Sequence, residues 1–247
     1  MAGEDARDDY VAQALAVRPY HPQVLFDAGE AALSALRVDE ATEHWKQAFV
    51  RNDLARERIV KLLTPAVSAQ TMLETFEPDA AGMELIAGYY RGLNRQQDLR
   101  IVLNAYALEA RRLSADDTQD SETRVEHLMT AQRCYSELGD HLNVRQCLED
   151  AIKVDESAYN PRLAYGNWLY SIQRYGEAAE HLIWCAKRRP SDVKVTTLAA
   201  YVRKKSMQQT KNSAFSGPDF EIADPSQPEY GRQPTQIATE PGSTSRN

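Results

Sequence analysis

Residues Tyr159 to Asp192 read YNPRLAYGNWLYSIQRYGEAAEHLIWCAKRRPSD. In the first half, Leu163, Gly166, Leu169 and Tyr170 recur at helical spacing, and Tyr165 and Trp168 widen the apolar stripe. Gln173-Arg174-Tyr175-Gly176 interrupts it as a turn, with Tyr175 placed to plug the gap between two helices. The second half answers with Ala178, Ala179, Leu182, Cys185 and Ala186. Gly166 and Ala178 carry little bulk, so two helix backbones can approach closely and pack as an antiparallel hairpin. Pro190 ends the second helix, because the residue before a proline is disfavoured in the helical region.

Related stretches recur up the chain at a period of about 34 residues, the mark of a repeat architecture. Tyr165, Gly166, Leu169, Tyr175, Ala178, Leu182, Cys185 and Pro190 together resemble the tetratricopeptide repeat (TPR) pattern, with Leu182 in place of the usual aromatic and Cys185 in place of the usual alanine. The resemblance implies an all-α fold: a right-handed α-solenoid of antiparallel helix hairpins. It is specific for fold and says little of function.

Working outward, Pro22 to Asp53 matches well, with Gly29 and Ala41 at the close-approach positions, Trp45 at the aromatic one and Asp39 as the expected helix cap. Leu54 to Asp79 is a degenerate unit. Its first helix is read as short by about a turn, with Pro65 in the first turn of the next. Ala80 to Leu113 recovers the pattern, although Gly88 and Gly92 each cost a helix up to about 1 kcal/mol, for which close packing or room for a ligand is the expected compensation. Ser114 to Thr123, SADDTQDSET, is an acidic polar insert with a cap expected at Ser121 or Thr123. It is read first as a solvated loop and second as a contact for a basic partner. Val125 to Ala158 is a further clear repeat. That makes about five hairpins over residues 20–209, preceded by a half-repeat or capping helix over 1–19. After Pro190, Ser191 is expected to cap a last helix to about Gln208, with Val193, Val195, Leu198, Tyr201 and Val202 inward, covering the end of the array. Residues 210–247 are rich in Pro, Ser, Thr, Gln and Gly and read as a disordered tail in which Phe215, Phe220, Ile222 and Tyr230 are scattered.

The 247 residues carry a formal charge of −7 and a pI near 5.3, against the basic stripe of a nucleic-acid binder. No apolar run is long enough to span a membrane, and no secretory signal is visible, so no direct membrane insertion is expected. Cys134, Cys147 and Cys185 lie within helical stripes without framework spacing, which predicts reduced, buried thiols and a cytoplasmic location.

His21, His44, His127, His141 and His181 form no metal-ligand spacing with one another or with the cysteines, and neither a phosphate loop nor a serine nucleophile elbow is present. No catalytic, cofactor or metal residue is assigned. In TPR arrays the first helix of each unit lines a concave groove. By that resemblance the groove candidates are Phe26, Glu30, Glu84, Arg91, Met129, Arg133, Asn167 and Tyr170, with Leu33, Gly88, Ser136 and Leu163 beside them. The family's clamp for a peptide carboxylate requires a basic residue and an asparagine where this chain has Phe26 and Glu30, which counts against chaperone tails as ligands. The expected function is a non-catalytic adaptor or scaffold binding a peptide or helix of a protein partner. Two alternatives stand beside it: the soluble repeat portion of a larger, membrane-associated bacterial assembly, motivated by the half-repeat start, and an enzyme with a site hidden in the groove.

Overall fold

A computed structural model describes residues 2–215, with side chains over 9–211. The described residues form helices joined by turns and short loops and contain no strand. In order the helices are α1 (Ala2–Val17), α2 (Pro22–Ser34), α3 (Val38–Arg51), α4 (Asp53–Leu63), α5 (Ala69–Phe76), α6 (Ala80–Gly92), α7 (Gln96–Ser114), α8 (Ser121–Leu138), α9 (His141–Val154), α10 (Tyr159–Ser171), α11 (Tyr175–Arg188) and α12 (Val193–Phe215). Packed neighbours α2–α3, α6–α7, α8–α9 and α10–α11 are joined by two or three residues, which makes each pair an antiparallel TPR-like hairpin. The hairpins lie in one compact unit, Met1–Ser206; of the second, Met207–Asn247, residues 207–215 are described and are helical.

The small-residue positions do what their spacing predicts. A Cβ on Gly29 would lie 2.2 Å from Trp45 Nε1, and one on Gly166 would lie 2.8 Å from Leu182 Cγ. Trp45 therefore fills the space that glycine leaves, and its indole N–H donates to the Phe26 carbonyl at 3.2 Å. Leu182, Cys185 and Ala178 are fully buried in the last hairpin. Burying a side chain such as Leu182 is worth about 2–3 kcal/mol.

The four hairpin turns share one geometry. Leu36, Asn94, Gly139 and Gln173 hold φ of 62°, 55°, 74° and 63°, each two residues before the next helix begins. In every case the following N–H reaches back five residues, Arg37 to Ala32, Arg95 to Tyr90, Asp140 to Tyr135 and Arg174 to Leu169, which satisfies a carbonyl the ending helix leaves free. Three of the four turns then place an arginine three residues before an acid, pairing Arg37 with Glu40, Arg95 with Asp98 and Arg174 with Glu177.

Several local expectations are corrected. Helix α3 starts at Val38, so Asp39 lies in its first turn and does not cap it; Arg37 precedes the helix and gives no side-chain cap. In the degenerate unit both helices are short, 11 residues in α4 and 8 in α5. Pro65 belongs to the turn between them, and Ser68 caps α5 by accepting from the Thr71 N–H at 3.2 Å. Asp120 caps α8 through the Thr123 N–H at 2.9 Å, a stronger acceptor than Ser121 or Thr123. Asp192, not Ser191, takes the N–H groups at the start of α12. There Val193 is exposed, while Val195, Ala199 and Val202 form the buried stripe. The helix continues past residue 209 to Phe215. The remainder of the expected tail, with Phe220, Ile222 and Tyr230, lies outside the described residues.

Candidate functional site: a cleft between α6 and α8

Helix α6 presents Glu84, Ala87, Gly88 and Arg91 on one face, at i, i+3, i+4 and i+7. Helix α8 presents Thr130, Arg133, Cys134 and Glu137 with the same spacing. Between them α7 contributes Leu103 and Tyr106 as a floor, and the resulting cleft has a volume of about 180 Å³. Across its mouth Arg91 donates from Nε to Glu137 Oε1 at 2.8 Å and from Nη2 to Oε2 at 2.7 Å. This two-point pair ties the first helices of successive hairpins together. Arg133 is exposed and donates to the Thr130 hydroxyl at 3.1 Å.

The electrostatics follow from these contacts. The hydrogen bonds from Arg91 hold the Glu137 carboxyl below the ordinary carboxylate range, against a smaller opposing effect of burial. Burial pushes the Cys134 thiol up to about 11, and Arg133 offsets this only in part. Tyr106 is raised as well, by burial first and then by Glu84. At neutral pH the thiol and the phenol are therefore protonated and the acid is committed to an arginine. The cleft offers hydrogen-bond donors and a carboxylate, with neither a thiolate nor a phenolate as nucleophile. Among the described residues no cluster of His, Cys, Asp and Glu could hold a metal ion.

Of the sequence-predicted groove residues, Glu84, Arg91 and Arg133 converge here, whereas Met129 is half-buried on α8 against the core and is not among the residues lining the cleft. Phe26 does not line an open surface: it is 3 % exposed, roofed by the Arg58 guanidinium at 3.8 Å. Arg58 also donates to Gln23 Oε1 at 2.7 Å, so α4 covers this part of α2. Glu30 is half-buried on α2 and is not among the residues lining the cleft. Asn167 is exposed on α10. Tyr170 is half-buried, with its ring 6.0 Å from Tyr175 and 6.2 Å edge-on from Tyr201, where α12 meets the last hairpin. Glu137, Tyr106, Thr130 and Cys134 are cleft residues that spacing alone did not single out. Gly88 and Gly92 have nothing within 4 Å of a hypothetical Cβ, so open space, not close packing, accounts for them.

No family model and no curated protein matches the chain. Similar solved structures include a thermophilic TPR protein of Thermus thermophilus, 17% identical with a TM-score of 0.39 over 81% of this chain and 90% of that one. The Cut9–Hcn1 hetero-tetramer of the APC/C is 11% identical with a TM-score of 0.41, over 81% of this chain and 39% of that one. PilF of Pseudomonas aeruginosa is 11% identical with a TM-score of 0.38, over 87% and 82%. The architecture stated above rests on the hairpins and turns of the chain itself. Among the described residues no helix is long and apolar enough to cross a membrane.

Proposed function

We propose that this chain is a non-catalytic adaptor or scaffold that binds an extended peptide or a helix of another protein along the first-helix face, with the α6–α8 cleft as the point of closest engagement. The observation that carries the reading is Gly88. It is exposed in mid-helix with open space above it, between Glu84 and Arg91 and beside the cleft that holds Arg133. A partner backbone can approach there more closely than over any residue with a side chain. The Arg133 donors and the Glu84 acceptor can meet its carbonyls, amides or charged side chains. The protonation states of Cys134 and Tyr106 and the commitment of Glu137 to Arg91 favour binding over covalent or acid–base chemistry. The three buried free thiols suit a reducing, cytoplasmic setting.

Selection of binders from a random peptide library displayed on phage, against the full chain, tests this directly. Selected peptides are expected to lose at least about tenfold in affinity on Gly88→Trp, which fills the approach, and on Arg133→Glu. Equal binding to both folded variants would place the partner surface elsewhere.

A further inference from the structure

Three loops open on one edge of the array: α7 ends at Ser114 and α8 starts at Ser121, α9 ends at Val154 and α10 starts at Tyr159, α11 ends at Arg188 and α12 starts at Val193. A shallow recess of about 390 Å³ touches all three, through Glu122 and Glu126, through Asp155 and Tyr159, and through Arg189. The loops therefore lie side by side.

Formal charge changes steadily along this edge. Residues 115–126 hold five acids (Asp116, Asp117, Asp120, Glu122, Glu126) against Arg124. Residues 153–162 hold Asp155 and Glu156 against Lys153 and Arg162. Residues 187–194 hold Lys187, Arg188, Arg189 and Lys194 against Asp192. The loops thus carry −4, 0 and +3 in order. The acids of the first loop and the bases of the third are all exposed. Within the first loop Arg124 is taken by Asp117 at 2.9 Å and by the Ser114 carbonyl at 2.9 Å. The bases of the third loop make no ion pair among the described residues. Two of them are instead held by aromatic rings, Arg188 over Trp184 at 4.3 Å and Arg189 over Tyr159 at 3.9 Å. Stacking fixes a guanidinium without neutralising it. At the middle loop the Tyr159 hydroxyl is buried with no hydrogen-bond partner.

We infer that this edge is the interface of a two-fold dimer of the chain. An edge that runs from acidic through neutral to basic is complementary to itself after a half-turn about its centre: the first loop of one copy meets the third loop of the other, twice, and the two Tyr159 residues fall near the axis. A closed two-fold contact needs this self-matching. A partner of a single charge sign matches only one end and is repelled by the other.

Sedimentation equilibrium on the full chain tests it. The expected result is a dimer at 50 mM NaCl whose dissociation constant rises at least about tenfold at 500 mM, where screening is strong. Asp116→Lys, Glu122→Lys and Glu126→Lys together bring the first loop to +2 and give a monomer, because bases then face bases. Lys187→Glu, Arg188→Glu and Lys194→Glu together bring the third loop to −3 and give a monomer for the opposite reason. Mixing the two variants restores a dimer made of one copy of each, and all six changes on one chain, which set +2 against −3, restore a homodimer. Circular dichroism shows that each variant is folded. A wild-type monomer under all conditions overturns the inference. So does a mass that keeps growing with concentration, which means head-to-tail stacking, and so do reversals that leave the dimer intact or variants that fail to rescue one another.

Discussion

At Gly29 one methyl group decides whether the first hairpin closes. Its Cβ would collide with the indole of Trp45, a rigid ring that is itself buried. Gly29→Ala is expected to cost about 3 kcal/mol through overpacking, whereas Gly88→Ala, with free space around it, is expected to stabilise the fold by up to about 1 kcal/mol through helix propensity. Urea unfolding of the two variants, run side by side, checks the opposite signs. His181 illustrates a different residue-scale effect. It is half-buried against the Tyr165 ring at 4.7 Å, with its Nδ1 unpartnered, and burial followed by the Arg162 charge lowers its pKa below 6.5. Below that ordinary value the unfolded chain binds the proton and the folded chain does not. Stability is therefore complete above about pH 6.5 and is eroded as pH falls toward the folded pKa. His181→Gln is expected to show a smaller drop in urea midpoint between pH 7 and pH 5 than the parent. Gly29 and Trp45 were legible in the sequence because the repeat pattern is a packing pattern. The environment of His181 was not, because Arg162 approaches it from another helix of the hairpin.

At the scale of elements, the short α4–α5 unit depends on its neighbour. Arg95, in the turn before α7, donates from Nη1 to the Thr64 carbonyl at 2.6 Å and to the Val67 carbonyl at 2.9 Å, and from Nε to Asp98 at 2.9 Å. Asp98 in turn accepts from the Ala69 N–H at 2.7 Å, and the Tyr90 hydroxyl donates to the Val67 carbonyl at 3.0 Å. The carbonyls left by the early end of α4 and the first amide of α5 are thus satisfied from the next hairpin. Arg95→Ala is expected to cost about 2–3 kcal/mol, because those carbonyls lose charge-assisted partners in a partly buried place. Arg174→Ala, at the same turn position in the last hairpin but paired with the more exposed Glu177, is expected to stay within about 0.5 kcal/mol. Chemical denaturation of both variants separates the two roles. The sequence shows arginine three residues before an acid in three turns and shows a proline and a shortened pattern at Thr64-Pro65. It does not show that one of those arginines reaches back 28 and 31 residues to mend the gap. Local spacing carries the helices; contacts between hairpins carry the repair.

For the molecule as a whole, the helical hairpins and their order were legible because each buries a stripe with its own period against the next. The candidate site was legible only in part. First-helix positions Glu84, Arg91 and Arg133 fell together because that face repeats with the array, while Phe26 was lost to a covering side chain, Arg58, that the pattern leaves unconstrained. Glu137 escaped notice because its partner Arg91 stands 46 residues away. That bidentate pair has a thermodynamic side. A ligand whose anionic group takes Arg91 must release Glu137, and the released carboxyl returns toward its ordinary affinity for protons. Ligands that open the pair with an anion that stays ionised there, such as a sulfonate, therefore bind with net proton uptake as pH falls into the ordinary glutamate range, and bind more tightly as it does so. Ligands that leave the pair closed do neither. Titration calorimetry in two buffers of different ionisation enthalpy tells these cases apart, since only the first gives a heat that depends on the buffer. The bridge between α6 and α8 thus makes the cleft's occupancy readable as an exchange of protons with the solvent.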